Sequence, residues 1–333
     1  MGFFQPTVPP LPESLSFSGK SAVVTGANSG LGLAAALHLA QRNISTLILA
    51  VRRKSTGETT KAILLEDPVV RALPTQPTIL IYELDLARPS TVVSFAARII
   101  ADIPILNILL LNAGIGAMAW KTTPETGNEQ MFQINYLSNA ILSVRLLPLL
   151  RSSAQKSKSL SYISIVGSRT QTMHTYTKYP IPDSTPVFTF LNDPAHYRIQ
   201  RYADSKALVA MWVRELAKHT DASEVIVNNV CPGMVNTNID ASQAWWLKQI
   251  ISVVRTIRGR SAEVGGRTLV NAVSTGKETH GEFLCDYNVE KNKFFKFLET
   301  EPGKKMQKRL WEETLAAAES VAPGSVLAAK LEN

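Results

Sequence analysis

The chain has 333 residues, 45% apolar and 19% charged, with 35 basic against 27 acidic side chains and a net charge of +8. That is the balance of an ordinary globule with ample chain for one large domain, and no uninterrupted apolar run reaches the roughly 18 residues of a membrane span. The basic groups, densest at "RRK" (52–54), "KNKFFK" and "GKKMQKR", form no aromatic-interleaved stripe, so nucleic acid is not the expected partner. The two thiols, Cys231 and Cys285, lie 54 positions apart and make no disulfide framework. No Cys/His cluster has metal-ligand spacing either, so no metal is expected and a reducing cytoplasmic compartment is.

In chain order, residues 1–18 come first, with four prolines in "MGFFQPTVPPLPESL". They predict an extended strap, and the absence of a basic n-region and an apolar h-region argues against a signal peptide. From residue 20, short apolar runs alternate with amphipathic stretches. The runs are "SAVV" (21–24), "STLILAV" (45–51), "TILIYEL" (78–84), "NILLLN" (107–112), "LSYISIV" (160–166) and "VIVNNV" (225–230). They are β-branched or Leu-rich and do not alternate, as expected of parallel strands buried on both faces. Helix-length segments such as "LGLAAALHLAQR", "PSTVVSFAARIIADI" and "NEQMFQINYLSNAILSVRLL" lie between them. Repeated β-α-β crossovers predict a single α/β domain over 19–290, a doubly wound Rossmann-type parallel sheet with helices on both faces, then a helical extension over 291–333. Ligands of such sheets bind at the carboxyl ends of the strands.

The first strand exit reads Thr25-Gly26-Ala27-Asn28-Ser29-Gly30-Leu31-Gly32 and runs straight into a helix. Gly26 permits a tight turn and Gly30 lets backbone approach a pyrophosphate without a Cβ in the way. Gly32 allows helix and strand to pack closely, and the helix N-terminus faces the anion. The spacing is G-x-x-x-G-x-G rather than the G-x-G-x-x-G of the usual dinucleotide fingerprint. Tyr202 and Lys206, in "IQRYADSKALVAMWVREL", sit one helical turn apart and stack a phenol beside an ammonium.

With these motifs in order over residues 20–290, the chain resembles the short-chain dehydrogenase/reductase family, on the branch of retinol dehydrogenases and of fungal secondary-metabolite ketoreductases. The resemblance implies cofactor contacts from Gly26, Asn28, Ser29, Gly30, Leu31 and Gly32. It implies a choice of 2′-phosphate by Arg52 and Arg53, and adenine contact by Asp85 and Leu86. Asn112, Ala113 and Gly114 match the family's N-A-G motif. Pro232, Gly233, Val235 and Thr237, in "CPGMVNT", match the segment that clasps the nicotinamide amide. With two arginines and no carboxylate before Glu58 at the second strand end, the implied cofactor is NADP(H).

The implied catalytic set is Asn135, Ser168, Tyr202 and Lys206. Tyr202 would act as general acid in carbonyl reduction, Lys206 would favour the phenolate and hold the ribose, and Asn135 would anchor a water. Ser168 would donate to the substrate oxygen. Of the three serines in "LSYISIVGSRT", Ser161 and Ser164 lie inside the apolar run, where a hydroxyl is expected to be a backbone-bonded bystander. Tyr197 has Arg201, not lysine, four positions on. The 34 positions from Ser168 to Tyr202 contain a long insert carrying His174 and His196, which read as structural, with a substrate contact the alternative. Ser138 stands where the family often has glycine. The stretch about 238–262, with Trp245 and Trp246, reads as a substrate lid or as a core helix, with membrane-surface contact a weaker alternative.

The expected activity is NADPH-dependent reduction of a ketone, or oxidation of a secondary alcohol, on a bulky apolar metabolite such as a polyketide- or terpenoid-like intermediate. A retinoid- or steroid-type alcohol dehydrogenase is one alternative and an inactive cofactor-binding scaffold another. A homodimer is compatible with either.

Overall fold

Six of the apolar runs become strands of one sheet: β1 (Ser21–Thr25), β2 (Thr46–Val51), β3 (Thr78–Glu83), β4 (Ile108–Leu111), β5 (Ser161–Val166) and β6 (Val225–Cys231). The computed structural model describes residues 5–235, 259–291 and 293–331. Two short strands that the sequence does not announce, β7 (Phe283–Cys285) and β8 (Asn288–Val289), extend the sheet to eight in the order β3-β2-β1-β4-β5-β6-β7-β8. Every pairing is parallel except β7 with β8. Central residues such as Val24, paired with Leu49 on one side and Leu110 on the other, are fully buried, which is why the strands read as unbroken apolar runs.

The order reverses direction between β1 and β4, so their two crossovers leave on opposite sides and open a crevice at their carboxyl ends. The helices are α1 (Gly30–Ala40), α2 (Lys54–Glu66), the short α3 (Pro68–Arg71), α4 (Pro89–Asp102), α5 (Ser138–Ser157), the short α6 (Val187–Leu191), α7 (Arg201–Lys218) and α8 (Ala262–Ala272). They are followed by α9 (Lys293–Glu299), α10 (Glu301–Val321) and the short α11 (Ser325–Ala328). One apolar cluster joins the sheet to α1 and α8; a second, on the opposite face, joins it to α4, α5, α7 and α10.

On that second face Trp311 of α10 stacks on Trp212 of α7 at 4.9 Å and on His219 at 4.7 Å. The Tyr136 hydroxyl and Thr314 Oγ1 share a hydrogen bond of 2.6 Å. The C-terminal helices therefore brace the helix that carries Tyr202. Cys231 and Cys285 stand opposite each other in β6 and β7 as free thiols. Among the described residues no helix is long and apolar enough to cross a membrane.

Candidate active site

The β1 exit is knotted to the β4 exit by short side chains. Asn112 Nδ2 donates to the Thr25 carbonyl at 2.8 Å, and the Ala113 N–H donates to Thr25 Oγ1 at 3.0 Å. Gly26 and Gly30 take left-handed backbone, with φ of +66° and +52°. A Cβ on Gly32 would lie 2.2 Å from the Gly26 carbonyl and 2.6 Å from Asn112 Nδ2, so only glycine lets α1 start this close to the turn. The N-terminus of α1 has no side-chain cap, because the Ser29 hydroxyl does not turn back to it. Its amides and positive dipole end face the crevice beside exposed Asn28 and Ser29. This cradle fits a pyrophosphate.

At the neighbouring strand ends, Arg52 and Arg53 are exposed and enter no ion pair among the described residues. Asp85 Oδ1 accepts from the Ala87 N–H at 3.0 Å, and the Leu86 carbonyl accepts from the Ser138 hydroxyl at 2.6 Å. Ser138 also accepts from Gln133 Nε2 at 2.9 Å. The serine at the family's glycine position thus ties the β3 exit to α5.

Asn135 lies in a π-helical turn, Phe132–Leu137, that leads into α5. Its Oδ1 accepts from the Ile115 N–H at 2.8 Å, while Nδ2 donates to the Ile115 carbonyl at 2.9 Å and to Ser205 Oγ at 3.0 Å. Gly114 sits against both Asn135 and Lys206: a Cβ there would meet Asn135 Oδ1 at 3.1 Å and Lys206 Nζ at 3.6 Å. Lys206 is buried, donates to the Val166 carbonyl at 2.7 Å, and has no carboxylate partner among the described residues. Burial pulls its ammonium down to about 8, opposed weakly by the Cys231 sulfur nearby. Its Nζ lies 5.7 Å from the centre of the Tyr202 ring, as expected one turn apart on α7.

Ser168 follows the β5 exit. Its Oγ accepts twice, from the Thr170 N–H at 3.2 Å and from Thr170 Oγ1 at 2.9 Å, which leaves its own proton to donate. Ser161 and Ser164 are buried as expected, but they are not bonded to backbone as the sequence suggested. Among the described residues their hydroxyls have no hydrogen-bond partner, backbone or otherwise.

The insert after Ser168 is folded onto α7. Buried Asp204 accepts from the Thr175 N–H at 2.7 Å and from its hydroxyl at 3.0 Å. Buried Arg201 donates to the His196 carbonyl at 3.2 Å and faces Glu129 at 4.0 Å. His174 packs against Phe297 at 4.6 Å, and burial lowers it to about 4, so it stays neutral. His196 stacks on Phe190 at 4.0 Å. Tyr197 packs edge-on against Trp120 at 5.7 Å.

Pro232, Gly233 and Val235 line the β6 exit; Thr237, Trp245, Trp246 and most of the stretch about 238–262 lie outside the described residues. The sequence did not single out Gln5, Arg169, Arg260 or Asp286, which converge beside this exit. Gln5 and Met234 are 229 positions apart, so no local signal could have joined them.

A doubly wound sheet with a glycine-rich anion cradle and a buried lysine one turn from a tyrosine defines a Rossmann-fold oxidoreductase. The chain belongs to the short chain dehydrogenase family, which it matches over residues 20–178 and 195–248. It is 38% identical over 315 residues to the short-chain dehydrogenase/reductase tropG of Talaromyces stipitatus, covering 94% of this chain and 95% of that one. It is also 38% identical to the short chain dehydrogenase macD of Penicillium terrestre, covering 95% and 96% of the two chains. Among solved structures, the L-sorbose reductase of Gluconobacter frateurii, complexed with NADPH and L-sorbose, superposes with a TM-score of 0.60. Identity is 20%, over 84% of this chain and 99% of that one. The NADPH-bound carbonyl reductase from chicken fatty liver gives 0.58 at 19% identity, over 82% and 99%. At such identities the likeness is one of fold.

Proposed function

We propose that the protein is an NADPH-dependent carbonyl reductase whose catalytic residues are Asn135, Ser168, Tyr202 and Lys206. The observation that carries the reading is Lys206, a buried cation between the β4 and β5 exits, held by the Val166 carbonyl and, among the described residues, by no carboxylate. Burying an unpaired ammonium costs stability, which a structural role would not justify and a catalytic one does.

The bound cofactor supplies or accepts the hydride. Tyr202 donates its proton to the developing alkoxide. A free phenol, with a pKa of about 10, exchanges poorly at neutral pH, and the Lys206 charge favours the phenolate. Ser168, with its acceptor sites taken by Thr170, donates to the substrate oxygen and stabilises negative charge there. Asn135 fixes the Ile115 backbone, and we assign the remaining lone pair of Oδ1 to the water that returns protons to Lys206. Gly26, Asn28, Ser29, Gly30, Leu31 and Gly32 would hold the pyrophosphate, with Asp85 and Leu86 against adenine. Asn112, Ala113 and Gly114 would line the cofactor's path toward Lys206, and Pro232, Gly233, Val235 and Thr237 the nicotinamide end.

Support for NADPH comes from Arg52 and Arg53 at the β2 exit, exposed and in no ion pair among the described residues, and from the NADPH in two solved structures of the same fold. A planar guanidinium suits a phosphate dianion. The fungal source of the similar dehydrogenases, together with the resemblance of the insert, favours a ketone of a polyketide- or terpenoid-like metabolite as substrate. Free thiols at both cysteines suit a cytoplasmic enzyme.

The test is a titration of NADPH and NADH, with turnover measured on a panel of bulky ketones. NADPH should bind more tightly, and Arg52→Ala should weaken it roughly 10- to 150-fold while changing NADH little. The NADPH effect should shrink as salt rises. Equal affinity of the wild type for the two cofactors would overturn the NADPH assignment.

A further inference from the structure

The Gln5 side-chain amide pairs with the Met234 peptide as a neighbouring strand would: Nε2 donates to the Met234 carbonyl at 2.8 Å and Oε1 accepts from the Met234 N–H at 2.7 Å. Arg260 holds the same segment too. Its backbone N–H donates to the Met234 carbonyl at 2.8 Å, and its guanidinium donates to the Pro232 carbonyl at 3.3 Å and to the Pro6 carbonyl at 2.7 Å. Gly233 has φ of +79°, and a Cβ there would lie 2.4 Å from Gln5 Oε1 and 2.7 Å from Arg260 Nη1. The two side chains therefore close on this backbone as tightly as a glycine permits.

The arrangement is balanced in charge and reaches Ser168. Arg260, only 8% exposed, meets Asp286 Oδ1 at 2.5 Å. The other Asp286 oxygen accepts from Arg169 at 3.0 Å, and Arg169 also meets Glu290 at 3.0 Å. Two arginines thus face two carboxylates, and one of the arginines directly follows Ser168 in sequence.

We infer that Gln5 and Arg260 are positioning residues for the nicotinamide end of the cofactor, acting through the backbone of residues 232–235. The inference rests on the dinucleotide reading above and assigns a role to the N-terminal segment that the reaction itself does not require. A strand exit whose peptide groups had only water as partners would have to be ordered when the cofactor binds, and that ordering would weaken binding. Here Gln5 and Arg260 order it in advance. The contact bears on the β6 exit and on neither the glycine turn nor the β2 arginines, so its loss should be felt at the nicotinamide alone.

The experiment compares the full-length wild type with Gln5→Ala, titrated with NADPH and with adenosine 2′,5′-bisphosphate, which has the adenine and the 2′-phosphate but no nicotinamide. Gln5→Ala should weaken NADPH by about 5- to 30-fold, the effect of losing one or two hydrogen bonds. It should leave the bisphosphate within about twofold. A role confined to general stability would move both ligands together, and that result overturns the inference, as does unchanged NADPH affinity. Should the wild type bind neither NADPH nor NADH, the dinucleotide reading itself fails and takes the inference with it. A wild type that binds, matched by the variant, sinks the inference alone.

Discussion

Lys206 shows how one residue ties stability to the chemistry proposed for it. Burial lowers its ammonium to about 8, against an ordinary value of 10.5. Between these two values the unfolded chain binds more protons than the folded one, so this group makes stability rise with pH through that window. Below about 8 the buried charge is present and its full cost is felt. Lys206→Met should therefore stabilise the cofactor-free protein at neutral pH and flatten the rise between roughly pH 8 and 10.5. Denaturant melts of both proteins across that range would check this, and a variant less stable than wild type at neutral pH would count against the buried-cation account. The sequence made Lys206 visible through its spacing from Tyr202. It could not show that the Ser161 and Ser164 hydroxyls find no partner among the described residues, because that depends on what packs around β5.

At the scale of elements, the β5 exit is the tightest point in the site. A Cβ on Gly167 would fall 1.8 Å from Asn229 Oδ1 on the adjacent β6, with the rest of that buried amide within 2.9 Å. Asn229 is also bonded to Gln171 at 3.3 Å, so it cannot swing away without breaking a second contact. Gly167→Ala should cost about 1–3 kcal/mol and lower Tm by several degrees. It should also slow turnover, because the shift displaces Ser168 next in sequence. A Tm within a degree or so of wild type would show that the contact relaxes freely. Strands β1 to β6 were legible because residues buried on both faces leave unbroken apolar runs. Strands β7 and β8 were not, because three and two residues are too short for such a run to stand out. The π-helical turn at Asn135 was hidden too, since one extra residue in a turn barely disturbs an apolar pattern in a segment buried all round.

Across the whole molecule, the sheet brings strand exits from distant parts of the chain to one crevice, and this is why the candidate site could be read as a series of motifs at strand ends. The bond between Thr25 and Asn112 joins the exits of β1 and β4, which the strand order puts side by side. What stayed illegible is what crosses between remote segments by side chain alone: Gln5 on Met234, Arg169 on Asp286, and the Asp204 bonds that fold the insert onto α7. These pairs carry no periodicity and no motif.

Tyr202 is the proton donor of the proposed mechanism, and the most direct measurement is turnover of Tyr202→Phe beside its cofactor affinity. With the best ketone found for the wild type, the variant should lose at least ~10²-fold in kcat, the contribution of a general acid. Its NADPH affinity should stay close to wild type, since the glycine turn, the β2 arginines and Lys206 are untouched. A variant that keeps more than about a third of the wild-type kcat would contradict the mechanism.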